Sequence, residues 1–275
     1  MDDVFIGSEA LAAGTLSRGQ LRWNYRALLP DVYVHKNATP SLSLRTIGAW
    51  LWSRRQGVIA GLTAAALHGS RWIDESTDVE LIWRCGRPPP GIVVRNERIA
   101  TDEIVEIAGL PVTTTERTAL DLARHSPRDT AIPHLDALAH ATGLTAPHVL
   151  PLVDRYRGGR ELRTSIDTLG LIDGGSHTPR ESLIRLALID AGFPNPRTRF
   201  TVTDGTNLAL IAMGYVAPKV GVEFGISTTG FLLGAGWTMI SADRVLNPKI
   251  IVYLVRAAVI ERGYPLSRLR RLSRG

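Results

Sequence analysis

The sequence predicts a mixed α/β (α+β) chain in three parts, and three observations predict it. Short capped helices followed by a strand occupy residues 1–75, strands and helices alternate through 76–172, and residues 173–275 run helix, three strands, strand, helix. A chain of 275 residues has room for two domains or one large one, and 44% hydrophobic content is that of a folded globular protein.

The order begins with a helix over 8–13 closed by Gly14, and Ser17 then caps a second helix from Arg18 to about Ala27. Two short helices joined through a glycine turn form a helix-turn-helix, and Asp31 to His35 follows as a strand in the place of a wing. The second helix carries Arg18, Gln20, Arg22, Asn24 and Arg26, long donors suited to phosphates and base edges. The bland alternative is a basic helix that only solvates the domain. A core-facing helix over 42–55 places Leu44, Ile47, Gly48 and Leu51 at helical spacing, and an alanine-rich helix over 61–69 is capped by Thr63 and ended by Gly69. His68, in its last turn, is expected as a cation or donor at the helix end.

In the middle part, 78–84, 91–95 and 110–112 are expected strands. Thr115 caps a helix over 116–124, where Arg117 and Asp121 at i and i+4 form an intrahelical ion pair. Helices follow over 129–142, 146–156 and 160–169, and Gly174-Gly175-Ser176 is the expected linker. His125, His134, His140 and His148 lack the spacing of a zinc site and are expected at the surface. Cys85 is the single cysteine, so an intramolecular disulfide and a thiolate zinc cluster are excluded.

The last part has the strongest local signals. Thr178 is an N-cap, Pro179 stands at the first helical position, Glu181 follows three after the cap, and Gly192 stops the helix. Leu183, Leu186, Ala187 and Asp190 fall on one face. Pro194 and Pro196 force an extended exit into strands over 198–202, 208–213 and 219–224, with a turn at Asp204-Gly205. Val220, Val222 and Phe224 alternate with Gly221 and Glu223, so Glu223 points away from the packed side chains. A strand over 237–240 and a helix over 247–262 complete the series.

Two resemblances attach to these patterns. Thr178-Pro179-Arg180-Glu181, the run Ala191 to Pro196, Met213-Gly214-Tyr215, the run Lys219 to Phe224 and the run Gly236 to Ile240 together resemble the very-short-patch-repair-like endonuclease domain, a branch of the PD-(D/E)xK restriction-endonuclease-like superfamily. That likeness implies an Asp near the end of the second strand and an acidic pair on the third, holding the Mg²⁺ that polarises the scissile phosphate. The chain departs from it: Ala212 stands where the Asp is expected, Glu223-Phe224-Gly225 replaces the acidic pair, and only residues 225–236 separate the last two strands, as though one helix of the three-layer core were missing. Glu223 and Glu181 remain as remnants of the catalytic set, with Glu223 the sole candidate metal ligand. Each has a plainer role: Glu181 closes a capping box onto the Thr178 amide, and Glu223 is solvated or paired with Lys219 or Arg244. Residues 11–72, with Val32-Tyr33-Val34 and Ala65-Ala66-Leu67-His68-Gly69, resemble the winged-helix head of the AbiEi-type antitoxin family of transcriptional repressors, and Thr115 to Ala123 carries a further signature of that family.

Charge agrees with a polyanion partner: +6 net and a pI near 9.9, although arginine-rich, lysine-poor usage raises the pI by itself. The stretch 261–275 adds Arg262, Arg268, Arg270, Arg271 and Arg274, either a solvated end or an arm along a phosphate backbone. No run of 18 apolar residues occurs, and Met1-Asp2-Asp3 is acidic where a signal peptide is basic, so a cytoplasmic location without membrane contact is expected. The expected function is duplex DNA binding by a protein whose nuclease-like part does not cut and holds no cofactor. The alternatives are an active Mg²⁺-dependent endonuclease recruiting Glu181, Asp204 and Glu223, and an antitoxin-like repressor or protein-binding module whose partner is a toxin or another protein.

Overall fold

A computed structural model describes residues 4–156, 162–225, 229–243 and 247–272; the side chains of 162, 163, 229 and 270–272 are outside the description. The chain starts with a strand that the sequence hid, β1 (Val4–Ile6), then α1 (Gly7–Ala12), α2 (Arg18–Asn24), β2 (Tyr25–Leu29) and β3 (Val32–His35). The three strands form an antiparallel sheet in the order β1-β3-β2. The α2 helix is shorter than expected. It ends at Asn24, so Arg26 and Ala27 belong to β2, where Tyr25 pairs with His35 and its ring meets Phe5 edge-on at 5.0 Å. The aromatic and β-branched residues of 25–34 favour a hairpin over another helical turn. At the hairpin turn Asp31 has φ 61°, and its carboxylate accepts from the Ser8 amide and hydroxyl, tying the turn to α1.

Helix α3 (Leu42–Trp52) is sandwiched: Leu51 packs on β1 and β3, whereas Leu42 and Ala49 face a second sheet. That sheet has the order β6-β5-β4-β8-β7, from β4 (Val58–Ala60), β5 (Val79–Ile82), β6 (Ile92–Arg95), β7 (Ile104–Ile107) and β8 (Leu110–Thr113). Two of its strands, β4 and β7, were not anticipated, and β4 comes from the stretch 1–75. Helix α4 (Gly61–Leu67) follows β4 with Thr63 inside it, not at its cap. The Glu80 carboxylate of β5 takes the Leu62 amide instead, and Gly61 at φ 57° leaves the room that carboxylate fills. A helical layer of α5 (Thr115–His125), α6 (Arg128–Thr142), α7 (Ala146–Arg155) and α8 (Leu162–Leu169) packs around Leu120, Ile132, Leu135 and Leu138. Thr114, one residue before the expected cap, accepts from the Arg117 amide to start α5. The expected start of α8 at Arg160 lies outside the described residues.

The C-terminal part follows the expected series: α9 (Pro179–Asp190), β9 (Arg197–Thr203), β10 (Leu208–Tyr215), β11 (Val220–Glu223), β12 (Thr238–Ser241) and α11 (Pro248–Glu261), with α12 (Leu266–Leu272) after it. Strands β9, β10 and β11 form an antiparallel meander, and β12 joins β11 in parallel, giving the order β12-β11-β10-β9. The missing helix is a correction. A parallel pair needs a crossover, and α10 (Thr229–Gly234), short as it is, lies on that crossover. Its Leu232 packs with Phe200, Ala209, Ile211 and Trp237 on one side of the sheet, while α9 and α11 cover the other side through Ile184, Leu188, Ile251 and Val255. The strands therefore sit between two helical layers. The solvent side of α11 leaves Ile250, Tyr253, Leu254 and Ile260 exposed.

Helix α9 does not show the single apolar face expected of it. Leu183 is exposed and Asp190 reaches outward to Arg128, whereas Ile184 and Leu188 enter the C-terminal core and Leu186 enters the core of α5–α8. Arg185 between them is fully buried, with Nη2 donating to both oxygens of the equally buried Asp136 on α6 and to the Leu171 carbonyl. No described helix is long and apolar enough to cross a membrane.

Candidate nucleic-acid interface

Helix α2 is held from both ends. The Ser17 hydroxyl accepts from the Gln20 amide while the Gln20 side-chain oxygen accepts from the Ser17 amide, a reciprocal capping box, and Leu21 anchors the inner face. At about 3.6 residues per turn, Trp23 falls nearly opposite Leu21 and is 72% exposed. Arg18 and Arg22 flank it on one side, Gln20 and Asn24 on the other, and all four are exposed. The acids of the same region are already held: Glu9 by Arg55 at 2.7 Å and Asp31 by Arg54 at 2.9 Å. No ion pair to Arg18 or Arg22 occurs among the described residues. Gln20 is partly spent on its cap, and Arg26, on β2, is half-buried with Nη2 donating to the Ala38 carbonyl at 3.2 Å. Of the five expected contact residues, Arg18, Arg22 and Asn24 stand free together on one helix. Trp23 escaped the sequence reading, which counted polar donors; its position opposite Leu21 was the available signal.

The acidic candidates of the C-terminal part, Glu181 on α9 and Glu223 on β11, are differently placed. Glu181 is buried, but its carboxylate reaches the His177 amide and the Thr178 hydroxyl, one residue upstream of the expected Thr178 amide. Glu223 is half-buried at the end of β11, with Oε2 enclosed and without a hydrogen-bond partner. Lys219 is not its partner, because Nζ donates to the Ala235 carbonyl; Arg244 lies outside the described residues. On β12 the register sets Ser241 beside Glu223. On β10, extending the pairing of Met213 with Val222 by one sets Ala212 beside it, so the position opposite the carboxylate is a methyl group. Asp204 is spent at the β9–β10 turn, where the Asn207 and Thr206 amides hold its carboxyl down at about 2. Among the described residues no three His, Cys, Asp or Glu side chains converge as a metal site requires. One carboxylate supplies too few oxygens for Mg²⁺, which takes about six ligands. The residues present do not fit the ion.

The densest charge cluster lies in the middle part and went largely unseen in the sequence. Arg117 is fully buried; Nε donates to Asp121 at 2.9 Å, the expected i, i+4 pair, Nη1 to Glu103 at 2.6 Å and to the Tyr156 hydroxyl at 2.9 Å, and Nη2 to Glu97 at 3.1 Å. Burial pushes the Asp121 carboxyl up to about 6 despite Arg117. Burial also works to raise Glu97, but His125, Arg124 and Arg117 outweigh it and hold that carboxyl at about 2. Every strong donor of Arg117 is matched, so the cluster stitches α5, α7 and the 97–103 segment together. Asp121 Oδ2 and His125 Nδ1 are enclosed in it without a hydrogen-bond partner.

Two of the four histidines, His125 and His134, depart from the surface expectation, whereas His140 and His148 are exposed. His125 is half-buried and meets Glu97 at 2.7 Å, and His134 is lowered by burial. His140 is exposed and packs its ring on His177, centroids 4.2 Å apart; His148 caps α7 with Thr145. His68 bonds the Thr113 carbonyl through Nε2 at 2.7 Å, outside its own helix. Neither a protein-family model nor a curated protein matches the sequence.

Proposed function

We propose that this protein binds duplex DNA through the outer face of α2 and does not cut it. The observation that carries the reading is the pairing of two exposed guanidiniums, Arg18 and Arg22, beside the exposed indole of Trp23 on a helix with a reinforced cap. Guanidiniums free of acidic partners are available to phosphates, Asn24 is suited to a base edge, and an indole can lie against sugars or a thymine methyl. The order β1, α1, α2, β2, β3, with a hairpin after the second helix, supports a winged-helix type of head in which α2 enters the major groove and the hairpin flanks it. The meander with a parallel fourth strand between two helical layers supports a restriction-endonuclease-like tail. Its mismatch with Mg²⁺ at Glu223, Ala212 and Ser241 supports the non-cutting half.

Fluorescence anisotropy with a mixed-sequence duplex across a salt series tests the binding. Submicromolar affinity with a steep negative salt slope, weakened in Arg22→Ala, is expected, because each phosphate contact releases counterions. Absence of binding at low salt removes the nucleic-acid reading. A Mg²⁺- or Mn²⁺-dependent nick in supercoiled plasmid that Glu223→Ala abolishes overturns the non-cutting half.

A further inference from the structure

A second cationic feature lies where α4, α6 and the start of α9 meet. A cleft of about 270 Å³ is lined by His68, Arg71, Trp72, His140 and His177 together with Gly69, Ala137 and Ala141, and its lining contains no carboxylate. The ring of His177 is oriented by Arg199, whose Nη1 lies 2.8 Å from Nδ1. A guanidinium can only donate, so Nδ1 accepts and the ring hydrogen sits on Nε2. That Nε2–H is buried and has no partner. The neighbouring ring of His140 is fixed in turn by Nδ1 donating to the Gly174 carbonyl at 3.0 Å.

Two backbone outliers touch the same histidine. Trp72 has φ 66° and donates Nε1–H to the His177 carbonyl at 3.1 Å, and Arg199 has φ 39°. Left-handed backbone at two bulky residues that bond one histidine, at its carbonyl and at its ring, is costly, and such strain persists where surrounding structure holds a group in place. Burial, reinforced by Arg199, His140 and Arg71, keeps His177 below the usual imidazole range, so the ring acts as a neutral N–H donor in a positive field. The Trp72 ring is 54% exposed at the rim. The cleft therefore combines one unpartnered donor, the exposed Arg71 guanidinium and the exposed Trp72 side chain.

We propose that this cleft binds a 5′-nucleotide, with the phosphate monoester against Arg71 and the His177 Nε2–H, and the base on the Trp72 face. An oxyanion satisfies the enclosed His177 donor and pairs with Arg71, which has no ion pair among the described residues, and a base stacks on an indole whatever its identity. The nucleotide can arrive free or as the phosphorylated 5′ end of a DNA strand. The site is separate from α2 and does not depend on the DNA-binding reading.

Calorimetric titration of the full chain with thymidine 5′-monophosphate, thymidine and inorganic phosphate tests it. The monophosphate is expected to bind at least tenfold more tightly than thymidine. Arg71→Ala, at an exposed side chain, and His177→Gln each weaken it roughly tenfold, and Trp72→Leu weakens the monophosphate but not phosphate. A 5′-phosphorylated oligothymidylate that competes where the 5′-hydroxyl strand does not identifies a strand end as an admitted source; competition by neither strand, with the monophosphate bound, identifies the free nucleotide. The Arg18→Ala/Arg22→Ala variant retains monophosphate binding. Equal binding of thymidine and its monophosphate, affinity unchanged in both Arg71→Ala and His177→Gln, or no heat at millimolar ligand overturns the proposal.

Discussion

Arg117 and Arg185 on one side, and Arg18 and Arg22 on the other, are the same residue put to opposite uses. The first two have no exposed side-chain surface, and carboxylates meet them at 2.6–3.1 Å; the second two lie open on α2 without an acidic partner among the described residues. A buried guanidinium has its desolvation offset only by the partners that neutralise it, so it belongs to the fold. An exposed one adds little to stability and keeps its charge for a ligand. A chain at +6 therefore cannot be read from its total charge; only the free cations are available to a polyanion.

Removing one partner of a buried pair gives the sharpest contrast. Arg185→Met is expected to cost about 3–5 kcal/mol in denaturant unfolding because Asp136 is left charged and enclosed, and adding Asp136→Leu recovers most of it. If the single variant unfolds like the parent, Arg185 is not structural and the contrast fails. Glu97 gives the next effect. Its carboxyl sits at about 2 in the fold against 4.5 in the ordinary state. The unfolded chain thus takes up the proton first, and the stabilisation, present above pH ~4.5, disappears as pH falls toward 2. Asp121, raised to about 6, runs the other way at higher pH, so the acid loss is read below pH ~4. Thermal melts of Glu97→Gln should show a flatter acid limb there; an unchanged limb refutes the assignment.

On the exposed side, Arg18→Ala/Arg22→Ala should leave stability within about 0.5 kcal/mol while lowering the anisotropy salt slope by about 2. A large loss of stability instead would mean that these arginines also hold the fold. The smallest effect is at the cap: Ser17→Ala should cost roughly 1 kcal/mol by removing the acceptor for the Gln20 amide, visible as a lower melting temperature.

Where the local rules agreed, the sequence was readable. Thr178-Pro179, Gly192 and the alternation through 220–224 located α9 and the strands after it within a residue or two, because cap, proline and period each point the same way. Where two cores compete for one element, a single period misleads, as with Leu183 and Leu186 on α9. Strands β1 and β4 are three residues each and carry too little pattern to register. The α4 cap came from Glu80, on a strand eighteen residues away, which no local spacing encodes. The α2 donors were legible because Arg18, Gln20, Arg22 and Asn24 fall within one stretch of seven residues, whereas the cleft of His68, His140 and His177 is assembled from three separated segments and becomes visible only when α4, α6 and α9 pack.

Helix α9 gives Leu186 to one core and Ile184 and Leu188 to the other, with Arg185 clasping Asp136 between them. A gene ending before Pro179 would therefore strip a wall from the α5–α8 layer as well as the sheet beyond it. Whatever the C-terminal sheet does, its first helix also serves as masonry for the neighbouring layer. Calorimetric heating should accordingly register one transition for both, and losing the C-terminal third would cost the α5–α8 layer its stability independently of any chemistry.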